Sequence, residues 1–130
     1  MTEIWLVRHG ETPWNAVNRV QGWEDIPLNE NGIEQAQALA RHMKRLSDTG
    51  EKLNAIYSSD LKRAHHTASI VAESIGLPLI VEPGIRERHF GVLQGLIYSE
   101  MEQHQPEAYR IWRSRDPDLD MPEGESLGFF

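Results

Sequence analysis

The chain has 130 residues, 13 basic and 20 acidic side chains, and a formal net charge of −7, a balance that argues against wholesale nucleic-acid binding. With 39% hydrophobic and 25% charged residues it is no disordered polypeptide, and its length suits one domain over residues 1–130. The lack of cysteine excludes disulfides, thiolate nucleophiles and cysteine metal sites; with no basic leader and no long apolar run, a cytoplasmic protein without membrane contact is expected.

In chain order, Glu3 to Arg8 is a short apolar run closed by His-Gly and reads as a buried strand. Asn29 is placed as an N-cap for a helix whose apolar face is Ile33, Ala36, Leu39, Ala40, Met43 and Leu46, stopped at Gly50. Ala55 to Ser58 reads as a second strand. Asp60 is expected to cap the next helix, which carries Leu61, Ala64, Ala68, Val71, Ala72 and Ile75 on one face and ends at Gly76 and Pro78. Leu79 to Val81 reads as a third strand. Strands alternating with crossover helices predict an α/β fold with a mainly parallel sheet, and three strands alone are expected to leave apolar surface uncovered.

Ligands of such sheets sit beyond the carboxyl ends of the strands. Three polar segments meet that description: Arg8-His9-Gly10-Glu11-Thr12, Ser58-Ser59-Asp60 with Arg63, and Arg86-Glu87-Arg88-His89. Arginine forks that hold phosphate oxygens, an imidazole that can attack phosphorus and a carboxyl that can protonate the departing oxygen are the parts of phosphoryl transfer without metal. Gly10 would let the main chain come close to the phosphate.

The ordered blocks Leu6-Val7-Arg8-His9-Gly10-Glu11-Thr12 with Trp14-Asn15 and Gln21-Gly22, Pro27-Leu28-Asn29 with Gly32, Ser58-Ser59-Asp60-Leu61-Lys62-Arg63-Ala64 with Thr67-Ala68, Arg86-Glu87 with Phe90-Gly91, Gln94-Gly95, and Gly124-Glu125-Ser126 resemble the histidine phosphatase superfamily. That family comprises the cofactor-dependent phosphoglycerate mutases and related phosphatases. The resemblance implies a three-layer, phosphoglycerate mutase-like sandwich in which His9 becomes phosphorylated, Arg8 and Arg63 clamp the phosphate, and Glu87 is general acid and then base. It also implies that Asn15, Gln21 and Gly22 line the phosphate pocket and its mouth. Family members carry a second histidine in a later Ser-His-Gly segment. Here His9-Gly10 is the sole His-Gly dipeptide, so the resemblance implies the amino-terminal part of such a domain.

The expected chemistry is hydrolysis of a small phosphorylated metabolite, with no cofactor and no metal ion. A phosphoglycerate mutase is the alternative: Arg88-His89 and Gly91-Val92-Leu93-Gln94-Gly95 are retained, but Tyr98 stands where mutases of the glycolytic type carry a lysine, and Arg113 and Arg115 are not adjacent. A phosphate-binding protein without turnover is the third reading, since the second histidine is missing. Plainer expectations stand beside these. Arg63 on a first helical turn could face solvent, the four tryptophans are packing residues, the stretch Asp116 to Glu125 is a solvated loop, and His65-His66 point apart without making a metal site.

Overall fold

A computed structural model describes residues 1–130. Five helices are present: α1 (Pro13–Ala16), α2 (Glu30–Asp48), α3 (Lys62–Ile75), α4 (Tyr98–His104) and α5 (Pro106–Ser114). Strands β1 (Ile56–Ser58) and β2 (Leu79–Val81) pair in parallel, Tyr57 opposite Ile80, with α3 as the crossover between them. No helix is long and apolar enough to cross a membrane.

Helix α2 follows its sequence pattern. The Asn29 side chain accepts a hydrogen bond from the Gly32 N–H at 2.7 Å, and Ala36, Ala40 and Met43 are buried on one face. That face meets Val71 of α3, and Trp5, Leu46, Leu53, Ile56 and Ile70 pack around the contact. Asn29 also donates from Nδ2 to Glu11 at 2.9 Å, which ties the helix start to the turn after His9. Replacing Asn29 with alanine is expected to cost about 1 kcal/mol in urea unfolding, the usual worth of an N-cap.

Helix α3 ends as expected, with Gly76 in the left-handed region at φ 71°. Its start differs from the sequence expectation. Leu61 occupies the N-cap position without a side-chain bond, and Asp60 instead pairs with Arg86 through both carboxylate oxygens. The N–H of Lys62 is satisfied by Asp25 at 2.7 Å, thirty-seven residues away in sequence, so the cap is tertiary.

The run Glu3 to Arg8 is not a strand. It makes no main-chain hydrogen bond, and Leu6 is 93% exposed, while Trp5 packs on the α2–α3 cluster. Apolar composition is local, but a strand exists only where a neighbour offers N–H and C=O groups in register. Tyr57, Ile80 and Val81 are exposed as well, so the two-stranded sheet leaves apolar surface uncovered, as expected from the strand count.

A second core, not anticipated from the sequence, gathers Val20, Leu93, Met101, Ala108, Ile111 and Met121. The segment Asp116 to Glu125 is therefore not simply a solvated loop: Met121 is 2% exposed and anchors it. Val92 N–H donates to the Pro122 carbonyl, and Glu125 N–H donates to the His89 carbonyl. The approach is so close that a Cβ on Gly91 would lie 1.9 Å from the Pro122 oxygen, at a φ of 52° that already favours glycine.

Candidate active site

His9 leaves the 3–8 segment on a turn clamped between two helices. The Gly10 N–H donates to Thr67 Oγ1 at 3.0 Å, and the Thr67 hydroxyl donates to the Arg63 carbonyl at 2.7 Å, which fastens the turn to the first turns of α3. On the other side a Cβ at Gly10 would stand 2.4 Å from the Gly32 oxygen in α2. The freedom of Gly10 is thus used against helix α2, and its N–H is already engaged by Thr67.

The half-buried His9 ring places Nδ1 2.6 Å from the carbonyl of Gly10. A carbonyl can only accept, so Nδ1 carries the proton and Nε2 keeps its lone pair. Burial first, then the positive charges of Arg63 and Arg8, hold the imidazole below its ordinary pKa, against the raising effects of the Gly10 carbonyl and Glu87. The neutral, nucleophilic form is therefore favoured at neutral pH.

Arg63 is not solvent-exposed. At 2% exposure it donates from Nη2 to the Gly22 carbonyl at 2.6 Å and from Nη1 to the Glu24 carbonyl at 2.8 Å, and it has no ion-pair partner. Carbonyls orient a guanidinium without neutralising it, so a buried positive charge remains next to His9. Its pKa is lowered by burial and supported by the charges of Glu87 and Asp25. Arg8 is exposed, close enough to His9 to act on its charge.

Glu87 lies on the irregular segment after β2, and its Oε1 accepts from the Arg88 N–H at 2.7 Å. It acts electrostatically on His9, Arg63 and Arg88, so the three polar segments do converge on one rim. The buried Arg88 turns inward, its Nε donating to the Glu125 carbonyl at 2.9 Å, while the His89 N–H donates to the Glu125 carboxylate at 2.8 Å. Glu125 is thus a brace for the acid-bearing loop. The Gly124-Glu125-Ser126 block is its only trace in the sequence.

Asn15 and Gln21 are both tied to the turn through Thr12. Asn15 Oδ1 accepts from the Thr12 N–H at 3.0 Å, and Gln21 Oε1 accepts from the buried Thr12 hydroxyl at 2.6 Å. Gly22 is drawn to the site by its carbonyl bond to Arg63. No three His, Asp or Glu side chains gather as a group able to hold a metal ion.

The arrangement has recognisable relatives. Residues 4–130 match the family model of the histidine phosphatase superfamily, branch 1. Two Arabidopsis thaliana proteins, phosphoglycerate mutase-like protein 4 and metal-independent phosphoserine phosphatase, are each 46% identical over 96% and 95% of this chain and 54% and 51% of their own. A mycobacterial glucosyl-3-phosphoglycerate phosphatase solved with VO3 superposes with a TM-score of 0.78 at 37% identity, covering 91% of this chain and 54% of that one. A putative alpha-ribazole-5'-P phosphatase from Escherichia coli superposes at 0.79 with 31% identity, covering 94% and 58%. The chain thus spans about half the length of the relatives it matches. On the family match and these likenesses together, the chain belongs to the histidine phosphatase superfamily, branch 1.

Proposed function

We propose that these residues carry phosphomonoester hydrolysis through a phosphohistidine, with a small phosphorylated metabolite as substrate. The observation that carries this reading is the His9 ring, held by its Nδ1 contact to Gly10 and kept neutral by burial and by the cations Arg63 and Arg8. In the first step His9 Nε2 attacks phosphorus, the P–O ester bond breaks, and Glu87 gives its proton to the leaving alcohol. In the second, the Glu87 carboxylate takes a proton from water, the oxygen attacks phosphorus, and the P–N bond breaks. Inorganic phosphate leaves, and both residues return to their starting states. Arg63 and Arg8 stabilise the equatorial oxygens in each transition state.

A mutase would share the first step and return the phosphoryl group to bound product. The structural use of Arg88 on Glu125, and of His89 Nδ1 as acceptor for the Gly91 N–H, favours hydrolysis over a role for that pair in gripping substrate. The test is rapid-quench intact-mass measurement with an aryl phosphate. An acid-labile phosphoryl adduct is expected in the wild type and none in His9→Ala. The attacking form is neutral and its pKa is depressed, so the labelling rate should stay flat through neutral pH and fall only in acid below the ordinary histidine value of 6.5. Phosphate bound without any adduct would leave the non-catalytic reading, and a phosphoryl group transferred to product in place of water would leave the mutase.

A further inference from the structure

Trp23 belongs to neither apolar cluster, although the sequence marks it as a packing residue. Trp23 is 37% exposed, and its ring stands between two groups of the loop that carries Glu87. The Arg86 guanidinium lies 4.7 Å from the ring centroid on a rim fixed by the Asp60 pair, and the His89 ring centroid lies 4.8 Å away at 55°. The indole Nε1–H donates to the Glu87 carbonyl at 2.8 Å, the only hydrogen bond made by the Glu87 main chain. The same turn holds the phosphate clamp, since Gly22 and Glu24 on either side of Trp23 are the carbonyl partners of Arg63. The Trp23 N–H shares the Gln94 amide oxygen with the Phe90 N–H, at 3.0 and 3.1 Å.

We propose that Trp23 is a positioning residue for Glu87: one turn fixes Arg63 through its main chain and Glu87 through the indole, and so sets the distance between the cation and the proton donor. The catalytic part of this inference rests on the hydrolase reading above. The physical need is plain. Glu87 is exposed on a segment without regular structure, and a general acid is effective only within hydrogen-bond reach of its oxygen. Arg88 and His89 are braced from behind by Glu125, whereas Trp23 alone holds the Glu87 peptide from the side of the clamp.

Two arms test this, on wild type, Trp23→Phe and Trp23→Ala. In the first, the His9 imidazole is titrated by NMR with Glu87 and with Glu87→Gln in each background, because the Glu87 charge acts on that ring. The Glu-to-Gln difference is expected to shrink to about half or less in Trp23→Ala, with the phenyl ring of Trp23→Phe restoring part of it. An unchanged difference overturns the proposal. Trp23 lies outside both cores, so both variants are expected to fold. In the second arm, single-turnover phosphorylation of His9 by an alkyl phosphate, which needs a proton donor, is expected to slow about tenfold relative to an aryl phosphate in Trp23→Ala. Equal loss on both donors, or no loss, would also overturn it. A wild type that labels from neither donor defeats the hydrolase reading alone, and the titration then still decides the placement of Glu87.

Discussion

Glu87→Gln is expected to slow His9 phosphorylation from an alkyl phosphate by about a hundredfold or more, the usual worth of a general acid, while an activated aryl phosphate is nearly unaffected. An alkoxide is a poor leaving group and needs the proton; an aryl oxide leaves without it. The amide keeps the shape of the carboxyl and can still accept from the Arg88 N–H, so the loop geometry should persist. Breakdown of the adduct loses its base in the same variant, and phosphohistidine should therefore accumulate from the aryl donor. Rapid-quench mass measurement with both donors checks this. Equal rates for wild type and variant on the alkyl donor would move the acid-base role away from Glu87.

Arg63→Met should weaken vanadate or phosphate binding by about a hundredfold, because it removes a desolvated charge and the forked donors together. Arg63→Lys keeps the charge but cannot reach the Gly22 and Glu24 carbonyls in the same fork, so a loss of about tenfold is expected. Titration calorimetry with vanadate reads both. Arg63 lowers the His9 pKa, so Arg63→Met should raise it, and the onset of His9 protonation should move to higher pH. A variant that bound vanadate as tightly as wild type would show that the anion sits elsewhere.

The local grammar of the chain was readable. The apolar spacing and Asn29 cap of α2, the Gly76 stop of α3 and the short run of β2 are properties of contiguous residues, and each formed where its pattern lay. Helices α4 and α5 escaped because no strong cap or long periodic stretch announces them, although Pro106 occupies the first turn of α5 and Met101, Ala108 and Ile111 share one buried cluster.

The candidate chemistry also came from the sequence, since Arg8, His9, Arg63 and Glu87 were singled out by residue type, by place after predicted strands and by family resemblance. Their surroundings did not. Glu3 to Arg8 has a strand's composition but no ladder, because pairing depends on another segment's main chain. Asp60 looked like a cap by position, yet the Arg86 guanidinium holds its carboxylate below the ordinary range and Asp25 takes the capping role from afar. Trp23, Thr67 and Glu125 hold the Glu87 main chain, the His9–Gly10 turn and the loop after Glu87 through bonds spanning 64, 57 and 36 residues respectively. Sequence thus determined which side chains are available to the proposed chemistry, because that is a matter of side-chain identity. Tertiary structure alone decided the protonation of His9 and the placing of the groups around it, because burial, neighbouring charges and hydrogen bonds to distant main-chain atoms set both.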